Sequence, residues 1–213
     1  MSVEAKICGL STAETVDAAV RFGARWVGFV TYPRSPRHVA SNDVLKALGA
    51  RVPKSVGRVG LFVDPDDALL DARLATGAID MLQLHGAETP ERIAAIKVRT
   101  GKAVMKVIKV AEAKDVERGI AAYASVADRL MFDAAEGTLP GGNARAFDWT
   151  ILDSFLMAYC TTPEARRTVR ASALSASLEL VREGAITLRQ DRPFAPLWIK
   201  KRSGEGALHA VSD

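Results

Sequence analysis

Cys8, His85 and Asp133 each follow a short apolar run, and Arg37 follows a proline-bracketed stretch, Pro33-Arg34-Ser35-Pro36. These residue types can do chemistry. A cysteine thiolate can take a proton or act as a nucleophile. A carboxylic acid such as Asp133 can donate a proton near neutral pH, if burial raises its pKa above the reference of about 4. Arg37 offers a permanent cation for an anionic substrate. Gln83 and His85 are two residues apart, so on a strand they share one face. Each has an ordinary alternative. An isolated cysteine is most often an inert core residue. An aspartate after a strand usually caps the next turn. A loop arginine is usually solvated, although Pro33 and Pro36 stiffen this loop and favour a positioned side chain. On the residues alone, Gln83 and His85 fit a core or supporting role better than catalysis.

The elements that must position these residues repeat. Apolar strand-length runs at Ala5–Cys8, Trp26–Val30, Val59–Val63, Met81–Leu84, Ala103–Val110 and Arg129–Phe132 alternate with helical segments. The helices are expected at 12–22, 41–49, 66–76, 89–98 and 113–123. Thr12 or Ser11 and Ser41 are N-cap candidates, and Gly49 is a stop signal. The repeat of roughly 22–30 residues is that of parallel βα units. The strands are apolar on both faces, as in a parallel sheet covered by helices. Eight such units need about 200 residues, the small end of the TIM-type (β/α)8 barrel. A doubly wound open sheet competes, but no G-x-G-x-x-G follows the first strand. In a barrel, active residues belong at the C-terminal ends of strands, where Cys8, His85 and Asp133 fall.

Composition narrows the function. The net charge is +4, with Lys and Arg spread along the chain. There is no zinc-ligand spacing, aromatic stacking motif or dense basic stripe, so nucleic-acid binding is not expected. The mild positive bias suits a small phosphorylated anion. No apolar run of membrane-spanning length and no signal peptide is visible, and there are two cysteines, Cys8 and Cys160. A cytoplasmic protein without a membrane span is expected. No metal cluster or nucleotide motif is present, so neither metal nor cofactor is expected.

Several segments together resemble one family. Lys6-Ile7-Cys8-Gly9-Leu10, Gly28 to Val39, Gly60-Leu61-Phe62-Val63-Asp64, Gln83-Leu84-His85-Gly86, and Met131-Phe132-Asp133 with Gly141-Gly142 and Phe147-Asp148-Trp149 are similar to the phosphoribosylanthranilate isomerases. The order and spacing match over about residues 4–152. The resemblance implies a (β/α)8 barrel and a cofactor-free Amadori rearrangement in tryptophan biosynthesis. The substrate is the aminoaldose N-(5'-phosphoribosyl)anthranilate, and the product is the 1-deoxyribulose 5-phosphate. It implies Cys8 as general base and Asp133 as general acid. It places Arg37 near the anthranilate carboxylate, Gln83 and His85 in the substrate-binding set, and Gly141 and Gly142 in a loop over the substrate. Lys6 lies two residues before Cys8, on the same strand face, where its ammonium is expected to favour the thiolate.

The family's last two strands carry loops that hold the substrate phosphate, and neither motif appears in residues 153–213. The expected organisation is therefore six barrel units over 1–152 and an atypical segment over 153–213. That segment is expected to hold a helix at Thr162–Glu183, short strands at Ala185–Leu188 and Leu197–Ile199, and a disordered end at Ser203–Asp213. An Ala-, Arg- and Ser-rich tail is also what a shifted reading frame yields in a GC-rich gene. Loss of the phosphate loops predicts weak or absent activity. Three readings stand: the isomerase, a non-catalytic remnant or binding protein on an incomplete barrel, and a sugar-phosphate barrel enzyme of another specificity. Protein partners are not legible from the chain.

Overall fold

The computed structural model describes residues 4–135 and three short strands further along the chain. In residues 4–135, six strands alternate with five helices. These are β1 (Lys6–Cys8), α1 (Ala13–Arg21), β2 (Trp26–Val30), α2 (Asn42–Ala50), β3 (Gly57–Phe62) and α3 (Asp67–Leu74). They continue as β4 (Met81–Leu84), α4 (Pro90–Thr100), β5 (Ala103–Val110), α5 (Ala113–Tyr123) and β6 (Arg129–Ala134). The helices begin where side chains cap their free amides. Thr12, Ser41, Asp66 and Thr89 accept from the first turns of α1 to α4. Pro90 occupies the start of α4, where its missing N–H costs nothing. Gly101, at φ 63°, ends that helix in the left-handed conformation.

The six strands form one sheet in sequence order, each parallel to the next. Such crossovers require an intervening helix, which the sequence supplies between successive strands. Alternate strand residues then go to opposite faces. Val27, Phe29, Phe62, Leu82, Leu84 and Val104 pack outward against Val16, Leu45, Leu48, Leu70, Ile93 and Ile96 of the helices. Burying each such side chain contributes about 1.5–3 kcal/mol. Facing the other way, Val59, Met81 and Met105 cluster with Trp26, Ala103 and Met131.

That inner cluster shows how far the sheet curls. The Arg129 guanidinium of β6 lies 5.1 Å from the ring centroid of Trp26 on β2. In a flat sheet those strands would stand about 19 Å apart, at about 4.8 Å per interval. Contact requires the sheet to curl like the wall of a (β/α) barrel. Arg25 stacks on Trp26 as well, at 5.1 Å, and the indole N–H donates to Glu4. Gly57 is small because the Trp26 ring fills its side-chain position. Among the described residues, β1 and β6 are the edges of the sheet.

The remaining strands, β7 (Ile186–Arg189), β8 (Trp198–Lys201) and β9 (His209–Ala210), form an antiparallel sheet in that order. β7 and β8 fall where short strands are expected. β9 lies in the stretch expected to be disordered; its backbone pairs with Trp198 and Ile199 of β8. The helix expected at Thr162–Glu183 lies outside the described residues.

Candidate active site

The register of β1 on β2 places the first candidate. Cys8 pairs with Gly28 and Lys6 with Trp26. Trp26 faces the inner cluster, so Cys8 and Lys6 face inward too. Gly28 leaves the space they use. A Cβ there would lie 2.8 Å from Cys8 Sγ and 3.2 Å from Lys6 Nζ. The thiol and the ammonium therefore crowd the same point of the inner wall. Cys8 is a half-buried free thiol, not the sealed core cysteine of the ordinary reading.

Arg37 reaches back over the end of β1. The chain between β2 and α2 folds into turns: Ser35 N–H donates to the Tyr32 carbonyl, and His38 N–H to that of Ser35. Val39 N–H then donates to the Val30 carbonyl, and His38 bridges to the end of β2. This brings the Arg37 side chain across Gly9, where a Cβ would lie 2.5 Å from its Cδ. Gly9 also has φ +81°, a conformation that suits glycine. Arg37 has no acidic partner among the described residues. His38 is half-buried. Burial holds its imidazole below the usual histidine range, followed by repulsion from Arg73.

Further along the same inner face, on β4 and β6, three candidates form a chain. Gln83 and His85 are buried, at 2% and 4% exposure. The Gln83 amide nitrogen lies 3.5 Å from His85 Nδ1, and His85 Nε2 lies 3.1 Å from Asp133 Oδ2. Asp133 follows Met131 on the inner face of β6, pairs in register with Lys109, and keeps 29% of its side chain exposed. Its carboxyl thus has one oxygen on His85 and is partly exposed. Gly141 and Gly142 lie outside the described residues.

Behind these residues is a buried network that the sequence reading missed. Lys106 Nζ sits 2.7 Å from Glu88 Oε2 and donates to the Gly86 carbonyl at 2.6 Å, with both charged side chains almost fully buried. Glu88 accepts from the amides of Asp64 and Gly86. Asp64, at φ +45°, accepts from Ala87 N–H. Tyr123 donates its hydroxyl to the Glu88 carbonyl, and burial followed by the Glu88 charge pushes its phenol up. The network locks the segment that carries His85. The signal for it was Lys106 itself, a charge inside the continuous apolar run of β5.

Comparison with known proteins decides the family. The N-(5'-phosphoribosyl)anthranilate (PRA) isomerase family matches residues 5–168. The chain belongs to that family. The PRA isomerase of Azorhizobium caulinodans is 54% identical over 155 residues, covering 71% of this chain and 67% of that protein. That of Paracoccus denitrificans is 48% identical over 190 residues, covering 83% and 87%. Both the family match and the Paracoccus alignment run past Leu152. A solved PRA isomerase, in complex with reduced 1-(o-carboxyphenylamino)-1-deoxyribulose 5-phosphate, superposes with a TM-score of 0.60 at 26% identity. The match covers 79% of this chain and 84% of that one. PRA isomerases catalyse an aldose–ketose isomerisation in tryptophan biosynthesis, and the six parallel strands described above belong to their TIM-type barrel.

Proposed function

We propose that this PRA isomerase works with Asp133 as general acid, Cys8 as general base and Arg37 as the anchor for the anthranilate carboxylate. Asp133 gives its proton to the ribose ring oxygen. The C1'–oxygen bond breaks as the anthranilate nitrogen lone pair forms a C1'=N bond. The Cys8 thiolate then takes the C2' proton, and the released electron pair forms C1'=C2' and neutralises the nitrogen. The resulting enol gives up its hydroxyl proton as C1' gains one, leaving the 2'-ketone. No oxidant or cofactor enters the balance.

The observation that carries this reading is the placement of a half-buried thiol and an accessible carboxyl on the inner wall, at the C-terminal ends of β1 and β6. Active residues of such barrels sit at that end. Arg37, beside Cys8 and without an acidic partner among the described residues, supports the carboxylate role. The ligand of the solved relative carries a carboxyphenyl group and a 5-phosphate. A ligand of that kind bound here would need both an arginine and a phosphate site. Gly141 and Gly142 are proposed for the loop over the substrate, and the cytoplasm for the enzyme's location. No observation favours the non-catalytic remnant.

The test is turnover of freshly generated phosphoribosylanthranilate, followed by loss of its fluorescence. Each proton transfer is worth about 10²–10⁴ in rate. Cys8→Ala and Asp133→Asn are each expected to lower kcat by about a thousandfold in folded protein. Activity that survives either change overturns that residue's assignment.

A further inference from the structure

The acid role of Asp133 has a chemical difficulty. An imidazole beside a carboxyl group ordinarily takes its proton, because histidine titrates near 6.5 and aspartate near 4. The product is an imidazolium–carboxylate pair, and a carboxylate cannot act as the acid. His85 Nε2 stands 3.1 Å from Asp133 Oδ2, in position for that transfer.

Gln83 lies on the other side of the ring. Its amide nitrogen faces His85 Nδ1 at 3.5 Å, and its oxygen is buried without a hydrogen-bond partner among the described residues. We propose that Gln83 is a positioning residue. Its amide N–H donates to Nδ1 and so holds His85 as the neutral tautomer protonated at Nε2. A nitrogen that accepts an N–H cannot also carry a proton. His85 then donates Nε2–H to Asp133 Oδ2 and leaves the acidic proton on the other oxygen. The inference rests on the assignment of Asp133 as the acid. It makes Gln83 and His85 servants of that acid rather than contacts of the substrate.

Other charged groups lie around the pair, on both faces of the sheet. Lys109 pairs in register with Asp133 and is exposed. Lys6 and Cys8 face inward from β1, and Arg37 reaches over Gly9. Asp64 and Glu88 hold the segment just after His85, and Lys106 is on the outer side of β5, paired with Glu88. None of these touches Nδ1, which meets only the amide of Gln83 among the described residues.

Two variants and one spectroscopic reading test the inference. Gln83→Glu replaces the donor with an acceptor and favours a proton on Nδ1. Gln83→Met removes the donor and leaves Nδ1 open. A general acid works only while protonated, so the rate falls as pH rises past the point where Asp133 ionises. An imidazolium beside it favours the carboxylate. In both variants that descending limb of kcat should move at least one pH unit toward acid, with activity regained at low pH. KM should stay within about twofold if Gln83 acts through His85 rather than on the substrate, and a large rise in KM would return it to the substrate-binding set. Imidazole-nitrogen NMR, assigned against His85→Asn, should show wild-type His85 neutral with its proton on Nε2 from about pH 6 to about pH 8. Gln83→Met should instead titrate in that range. A wild-type His85 in the Nδ1–H or imidazolium form overturns the inference, as does an unmoved limb in both variants. Full turnover by Asp133→Asn overturns the acid assignment beneath it, and the NMR result separates the two failures.

Discussion

Arg37 lies across Gly9 so closely that its Cδ would stand 2.5 Å from a Cβ at that position. The glycine next to the proposed base thus determines where the proposed carboxylate anchor can rest. Gly9→Ala adds a methyl group at φ +81° and pushes the arginine aside. We expect a loss of stability of about 1 kcal/mol. KM should rise about tenfold or more, while Arg37→Lys, which loses the planar fork, should also raise KM. An unchanged KM in Gly9→Ala would show that Arg37 does not bind the substrate from this position.

Lys6 and Cys8 crowd the same point above Gly28. That closeness is the ground for testing whether the Lys6 ammonium assists the thiol. Lys6→Met should slow alkylation of Cys8 by iodoacetamide at neutral pH by about three- to tenfold. Equal rates in the two proteins would remove Lys6 from any role in activating the base.

The Lys106–Glu88 pair is buried and bonded to three backbone groups around Gly86. Removing one partner strands the other charge. Lys106→Met should cost about 3–5 kcal/mol in denaturant unfolding. Adding Glu88→Gln should restore part of that, because the unpaired charge is then gone. A double variant less stable than the sum of the single changes would contradict the pairing.

Acid stability depends on Asp80. Hydrogen bonds from the Arg58 guanidinium hold its carboxyl below the usual carboxylate range, aided by the Arg58 amide and charge. A lowered folded-state pKa means stabilisation that is present above the unfolded value. It is lost as pH falls through the folded one. Asp80 is 42% exposed, so solvent screening limits the pair to about 1 kcal/mol. Asp80→Asn should lower stability by about that amount at pH 7 and have less effect near pH 2. An equal loss at both pH values would remove the ion pair as the cause.

The alternation of apolar runs with capped helices determined the six parallel strands, because period, length and cap chemistry are local properties. Thr12 and Ser41 cap helices where the sequence places them. The pleat also put Gln83 with His85, and Lys6 with Cys8, on shared faces. The sequence placed Cys8, His85 and Asp133 at strand ends without showing what they would touch. Curvature decided that. Arg129 meets Trp26, and His85 meets Asp133 across β5, because the sheet curls. The descent of Arg37 onto Gly9 and the burial of Lys106 against Glu88 were equally a matter of tertiary structure. Each joins groups separated along the chain, and no local propensity encodes their distance.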